Sequence, residues 1–372
     1  MVTIKKITLI FFVLVAIAYL LSCLTPYVNP VQYWPFTFLA LGFPFLLAGM
    51  LILLPVSFFV YGKKGWIWLL LIVLGYKNIS STLGFHIFNS FSMNEKKGSF
   101  RLLSWNVCNF RNNQASADSA GSQRRQMLAF IKEAKADVLC LQDFSEYTGS
   151  GYRHNISFIK DSLGYPYVFF SKDFAYNVAD GEEQYGTIIF SKFPIIDSGR
   201  IVFPNEASTE ALSFADVLIH NQKIRFYNAH LRSMEIHTKA LELDPAEVSF
   251  LQTDTALILH KSTFKKLKHF DALHVEQAKT IRSVLDTTSV PFIYCSDMNS
   301  VPATYVYHYI SKGLDDAFTK TDWGLGTTYD SISPTLRIDV TLLKKPLQPV
   351  QHHTPHLHLS DHFPNLVDIA LP

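Results

Sequence analysis

The chain has 372 residues, enough to bury a large core and to hold more than one structural unit. Its net charge of +2 conceals a split: five lysines and no acidic residue precede Glu95, which leaves 28 basic against 31 acidic residues from there on, a net −3. That remainder lacks the basic footprint of a non-specific nucleic-acid binder, and Cys23, Cys108, Cys140 and Cys295 show no disulfide or zinc spacing and read as small core residues.

The first ninety or so residues have membrane character. Ile7–Leu24 carries no charge and follows Lys5 and Lys6. Pro35–Val60 is a second uncharged run, long enough to span a bilayer. Pro44 and Pro55 fall inside it, which spanning helices tolerate, and Trp34 and Tyr61 flank it as interfacial anchors. Gly65–Tyr76 is apolar but short, and it spans only by continuing past Lys77 to about Phe88. Lys77 would then snorkel or face protein. The alternative is a half-buried helix followed by an amphipathic stretch. A cleaved signal peptide accounts for the first run alone, and Leu20-Leu21-Ser22-Cys23 is only a loose lipoprotein-like site.

The expectation is therefore three helices, 7–24, 35–60 and 65–88, in a bacterial inner membrane. Lys5, Lys6, Lys63 and Lys64 would lie inside and the Lys- and Arg-free loop Thr25–Trp34 outside. An odd number of spans places the rest outside the cytoplasm, and two spans would place it inside. The predicted organisation is a transmembrane region 1–91, a linker 92–99 and a domain 100–372 beyond the membrane.

Phe100–Val107 reads as a strand ending near Asn106. Asn112–Ser122 is small and polar, a predicted loop, and Met127, Leu128 and Ile131 mark one face of a helix over Arg124–Lys135. Asp137–Asp143 is a second buried strand with a polar end. Tyr167–Phe170 and Thr187–Phe190 are further strands. Leu212–His220 and Lys223–His230 form a predicted hairpin around Asn221-Gln222. Met234–Asp286 turns helical, with Lys261, Lys265, Lys266 and Lys268 on a solvated face or against an anionic partner. Val290–Tyr294 is a buried strand that opens into Ser296-Asp297-Met298-Asn299-Ser300. A helix near Tyr305–Ile310 and strands Leu336–Leu343 and Leu366–Leu371 complete the chain. Many strands, several helices and no regular βαβ alternation indicate an α+β or sandwich domain with mixed sheets.

Polar groups gather where these strands end: Asn106, Gln142-Asp143, Asn228 and His230, Asp297 and Asn299, Arg337 and Asp339, and then Ser360-Asp361-His362. Asp297 and Asn299, two apart, can face one site from an extended backbone. A carboxylate binds a hard cation or takes a proton, and a carboxamide donates to an anionic oxygen. Taken singly, each is equally an Asx-turn or a surface histidine. The segment His352, His353, His356 and His358 is assigned to a surface loop rather than a metal site.

Together the stretches SWNV, CLQD, YGTIIFSKFPI, NAHL, SDMNSVP, RID and SDHFP, spread over Phe100–Pro372, resemble the endonuclease/exonuclease/phosphatase superfamily, in particular its membrane-anchored bacterial members. The resemblance implies a four-layer α/β sandwich: two packed, mostly antiparallel sheets flanked by helices, with the site at one edge. It implies a hydrolase of phosphate esters using Mg²⁺ or Mn²⁺. Asn106, Asp143 and Asp361 would serve the metal. Asp297 would align or deprotonate the attacking water, Asn299 would bond a phosphoryl oxygen, and His230 would contact the phosphate or serve the leaving group. Asp339 would fix His362, which acts on the phosphate or as acid/base.

Two departures from the family pattern stand out. Asp143 occupies the position where Glu is usual and falls roughly 1.5 Å short in reach, so the metal would shift, a water would intervene, or Glu146 would substitute from the adjacent loop. Ser296 stands where Gly is usual. The expected substrate is a lipid or small-molecule phosphate ester. An extracytoplasmic nuclease and a catalytically silent scaffold of the same fold are the alternatives, and no protein partner is evident.

Overall fold

A computed structural model describes residues 2–94, 98–111, 117–150, 154–204, 210–233, 263–330 and 333–371. The helices are α1 (Val2–Ser22), α2 (Pro35–Tyr61), α3 (Gly65–Leu74), α4 (Tyr76–Thr82), α5 (Ala117–Ala134), and then Thr263–Thr287 and Tyr305–Ile310. The strands are β1 (Gly84–Phe85), β2 (Ser99–Asn106), β3 (Val138–Tyr147), β4 (Tyr167–Val178), β5 (Gly181–Ser191), β6 (Ile195–Val202), β7 (Ala211–Ile219), β8 (Gln222–His230), β9 (Phe292–Asp297), β10 (Asp315–Asp316), β11 (Trp323–Gly324), β12 (Asp339–Leu343), β13 (Gln348–His353) and β14 (Asn365–Ala370).

Two six-stranded sheets carry the domain, in the orders β13-β14-β2-β3-β5-β4 and β10-β12-β9-β8-β7-β6. Each has one parallel pair, β2·β3 and β8·β9, among antiparallel neighbours. Alternating apolar positions face each other between the sheets, where Leu102, Cys140, Ile189 and Val367 meet Val217, Phe226, Ile293 and Cys295. The outer face of the first sheet packs on α5 through Met127, Leu128 and Ile131. The outer face of the second packs on Thr263–Thr287 through Ala278, Ile281 and Leu285. The result is the four-layer sandwich, helix–sheet–sheet–helix.

Several predicted boundaries move. Helix α5 starts at Ala117, inside the stretch assigned to a loop, whose residues 112–116 lie outside the described set. The same holds for 234–262, including Lys261; of the basic cluster only Lys268 has a described side chain, and it is exposed. The β7–β8 hairpin turns one residue earlier than predicted, with Ile219 opposite Gln222. His220 and Asn221 both take positive φ, 47° and 66°, the backbone of a two-residue hairpin turn. Residues 336–338 precede β12 instead of joining it, because Thr328 Oγ1 accepts the Ile338 and Asp339 amides at 2.9 and 3.0 Å.

The N-terminal part also differs. Among the described residues, one helical run, Pro35–Leu74, is long and apolar enough to cross a membrane, and Thr8–Ser22 is a shorter apolar helix. The three-span expectation, and with it a multi-pass location, is not supported. The third run ends at Leu74 rather than continuing to 88. Gly75 then packs against α1, where a side chain would collide with the Tyr19 hydroxyl. The chain bends into α4, whose Asn78, Ser81 and Thr82 are buried. Lys77 does not snorkel along a span and has no acidic partner among the described residues; its Nζ sits 4.0 Å above the Tyr27 ring. The stretch expected as a free linker is held at its start, since Arg101 Nη2 donates to the Ser92 carbonyl at 3.1 Å and Gln351 Oε1 accepts the Ser92 amide at 3.0 Å.

Candidate active site

The strand register brings the polar ends to one edge of both sheets. Asn106 pairs with Gln142, and Asp297 lies between His230 and Asp339 on its two neighbours. The two sheets are stitched at this edge by buried amides. Gln142 Nε2 donates to Asn228 Oδ1 at 2.7 Å, and Asn228 Nδ2 donates to the carbonyls of Leu141 and Ile188 at 3.0 Å. Asn228 is fully buried, and its amide ties the strand of one sheet to backbone carbonyls of the other. Sequence reasoning placed it at a strand end without a role, and its position inside NAHL was the only available signal.

Asp297 is the centre. It is fully buried, and each carboxylate oxygen is engaged. Oδ1 accepts the Asn299 amide at 2.9 Å and Oδ2 accepts Asn106 Nδ2 at 2.9 Å. The Nε2 atoms of His230 and His362 each stand 3.5 Å from the same Oδ2. Asn299, at φ 45°, is a left-handed turn residue that asparagine adopts readily, and its Nδ2 donates to the Leu231 carbonyl at 2.9 Å. A second amide hydrogen on that nitrogen remains for a ligand.

His362 is clamped between carboxylates. Its Nδ1 lies 2.9 Å from Asp339 Oδ2, and its backbone carbonyl accepts Trp105 Nε1 at 2.9 Å. The Tyr329 ring covers it at 4.8 Å between centroids. Burial opposes a charged imidazole, but Asp339, Asp297 and Asp361 outweigh it and hold His362 up at about 10. His230 is likewise raised: burial lowers it, while Asp297 and Asp143 raise it more. The surrounding acids therefore favour the protonated form of both rings.

Asp143 is not at a strand end. It sits in a β-bulge within β3, between Leu141 and Phe144, at φ 50°. A bulge re-aims one side chain out of the pleat, and this one faces His230, Asp361, His362 and Asp297 electrostatically. Burial raises its carboxyl; His230 and His362 lower it, and Asp361 and Asp297 raise it. Glu146 does not compensate for the short side chain. Its Oε2 accepts the Ile156 amide at 2.8 Å and its Oε1 lies 3.9 Å from His154 Nδ1, away from the site. Asp361 takes Ser360 Oγ at 3.2 Å, and Ser360 Oγ also donates to the Asn106 carbonyl at 2.9 Å.

The donor set suits a hard divalent cation. Among the described residues, Asp297, Asp339 and His362 offer ligand atoms within 4.8 Å of one another, and buried Asp339 Oδ1 has no hydrogen-bond partner. Within that trio, however, His362 already bridges two acids with its ring nitrogens, so a cation would compete with its proton. Asp143 and Asp361 also act on each other as like charges, a repulsion that a cation would relieve.

The His-rich stretch divides. His352 Nδ1 is 2.9 Å from Asp322 Oδ2 and packs into the fold, while exposed His358 Nδ1 is 2.6 Å from Asp330 Oδ2. Buried His274 escaped notice in the sequence. Its Nε2 meets the Arg232 carbonyl at 2.6 Å, and burial lowers it to about 4, so it is neutral.

Residues 103–362 match the family model described as the endonuclease/exonuclease/phosphatase family, and residues 5–82 match one described as a domain of unknown function. No curated protein matches significantly. Among solved structures, an endonuclease/exonuclease/phosphatase protein from Beutenbergia cavernae is 16% identical, with TM-score 0.53, covering 74% of this chain and 72% of that one. It shares the fold. A Bacteroides thetaiotaomicron mannosyl-6-phosphatase is 17% identical at TM-score 0.48, covering 73% of this chain and 100% of its own. Nocturnin's human catalytic domain with bound sulfate is 14% identical at TM-score 0.49, covering 74% and 95%.

Proposed function

The chain belongs to the endonuclease/exonuclease/phosphatase family, and from that premise we propose that it is a membrane-anchored, divalent-metal-dependent phosphoesterase. The observation that carries this is the convergence of His230, His362 and Asn106 on one oxygen of Asp297, with Asp339 behind His362. Phosphoryl transfer asks the protein mainly for positioning and charge stabilisation, and this arrangement supplies both. Asp297, fixed by Asn106 and the Asn299 amide, aligns a water and accepts its proton. Protonated His362 and His230 donate from Nε2 to the phosphoryl oxygens or the departing alkoxide. Asn299 adds its second amide hydrogen to the same oxygens. Asp339 holds the His362 ring through Nδ1 and stabilises its cation until the Nε2 proton passes to the leaving group, after which the ring is neutral with its proton on Nδ1.

Asn106, Asp143 and Asp361 would hold Mg²⁺ or Mn²⁺, which when bound neutralises phosphate charge and acidifies water. Asp143 reaches less far than Glu, which favours a ligand water between carboxylate and ion.

A lipid or small-molecule phosphate ester is favoured over nucleic acid on two grounds. The part after residue 94 carries net −3. The loop after Asp297 also touches the apolar N-terminal segment, with Thr25 Oγ1 donating to the Ala303 carbonyl at 2.6 Å. In this reading residues 1–91 are the anchor and 100–372 the catalytic domain. Hydrolysis of phosphoinositide, sphingolipid, sugar phosphate, DNA and RNA by the full chain in detergent micelles, with Mg²⁺ or Mn²⁺, tests it. Asp297→Ala and His362→Ala are the controls. Wild type no faster than either on every substrate would leave a silent scaffold of the same fold. Release of the intact protein from membranes by alkaline carbonate would remove the anchor.

A further inference from the structure

Ser81, in α4, makes contacts that the chemistry above does not use; besides the Asn78 carbonyl at 3.1 Å and His308 Nε2 at 3.4 Å, two of them reach the loops of the site. Its hydroxyl donates to the Pro302 carbonyl at 3.0 Å, and its own carbonyl accepts from Arg337 Nη2 at 2.6 Å. Pro302 belongs to the loop that leaves Asp297 and Asn299. Arg337 stands two residues before Asp339, the partner of His362. A single residue of the N-terminal segment therefore spans the two loops whose relative placement sets the Asp297–His362–Asp339 geometry.

Arg337 is built for this seam. Its side chain is 2% exposed, its Nη1 donates to Asp316 Oδ2 at 2.8 Å, and its guanidinium lies 4.7 Å above the Phe318 ring. Asp316 is itself held by the Tyr307 hydroxyl at 2.6 Å. A buried guanidinium is expensive to desolvate, and simple helix packing needs only apolar contact. The planar fork fixes direction as well as distance, which a packing contact does not. Apolar contacts run alongside: Val301, Ala303, Tyr329 and Ile338 form one cluster with Tyr19, Phe43 and Ile72 of the N-terminal helices. Tyr329 is the residue whose ring covers His362.

We propose that Ser81 and Arg337 are positioning residues of the active site, through which α4 holds the Asp297–Asn299 loop and the Asp339–His362 pair in register. The N-terminal segment is then a working part of the catalytic unit as well as an anchor. This rests on the phosphoesterase reading, but its structural half can be tested apart from it.

The experiment uses the full chain in detergent micelles with Mn²⁺ and bis(p-nitrophenyl) phosphate. One lost hydrogen bond of about 1 kcal/mol corresponds to roughly fivefold. Ser81→Ala should lower kcat about fivefold and leave KM within twofold. Arg337→Ala should lower kcat about 10- to 100-fold, and Arg337→Lys, which keeps one arm, should fall between it and wild type. Hydrogen–deuterium exchange without substrate supplies the second readout. Segment 298–304 should exchange faster in Ser81→Ala, which loses the hydroxyl bonded to Pro302, and segment 336–341 in Arg337→Lys, which weakens the arm on the Ser81 carbonyl, with 138–147 unchanged in both. If wild type hydrolyses nothing, the phosphoesterase reading fails while exchange still decides the bridge. Unchanged exchange in both segments, or an unchanged kcat in Ser81→Ala and Arg337→Lys, overturns the proposal.

Discussion

Replacing Asp339 by Asn removes one charge and little volume. Asp339 Oδ2 is 2.9 Å from His362 Nδ1, and Asp297 Oδ2 is 3.5 Å from Nε2. Burial opposes the ring's charge, yet the surrounding carboxylates raise His362 to about 10 from 6.5. That gap corresponds to roughly 5 kcal/mol between the protonation states, as an upper bound. Asp339 is the largest of the three acidic contributions. In Asp339→Asn the amide oxygen still accepts from Nδ1, so the ring keeps its place but loses most of its reason to stay charged. A general acid–base role of this kind is worth about 10²- to 10³-fold in kcat. Steady-state hydrolysis of bis(p-nitrophenyl) phosphate at pH 7.5 measures it; a kcat within threefold of wild type would refute the reasoning. The stability effect has a sign. A histidine whose proton is held more tightly in the fold stabilises fully below about 6.5, progressively less up to 10, and not at all above. The melting-temperature gap between wild type and Asp339→Asn should therefore be widest near pH 6 and close by pH 10.5.

Chelation with EDTA should abolish activity, and Mg²⁺ or Mn²⁺ should restore it; activity that survives dialysis against chelator contradicts a metal role. Asp143→Asn should weaken Mn²⁺ binding about 10- to 100-fold by electron paramagnetic resonance titration, whereas Asp143→Glu should bind at least as well as wild type. Arg101→Met leaves Asp368, bonded at 2.6 Å and fully buried, without its cation. It should cost about 3–5 kcal/mol and lower the melting temperature on the order of 10 °C. Burial raises the Asp271 carboxyl, which accepts Thr37 Oγ1 at 2.5 Å, to about 6. A raised acid favours the fold fully below its free value of 3.8 and loses that advantage between 3.8 and about 6. The melting temperature of Asp271→Asn relative to wild type should thus be lowest below pH 4 and rise to a plateau above pH 6, with the variant melting higher at pH 7.5.

Much of the fold was legible because side-chain periodicity is a local property. The buried runs in β2, β3 and β9 stand out as continuous apolar stretches, and their polar ends mark the catalytic edge. The residues His230, Asp297, Asp339 and His362 were identifiable as a set, and the sheets bring them together. What periodicity could not resolve was any feature made by pairing between distant segments. Asp143 lies in mid-strand, aimed by a bulge that exists only opposite β5, and Glu146 turns to Ile156 instead of the site. A run of apolar residues from Gly65 cannot announce that Gly75 will press on Tyr19 and end a span.

Residue types and their order, then, determined the chemistry, because carboxylates, amides and imidazoles carry it wherever they are placed. Tertiary structure alone decided that Ser81 would reach Pro302 and Arg337, more than 200 residues away. Such contacts depend on how separately folded surfaces meet, and no local pattern of hydrophobicity encodes that meeting.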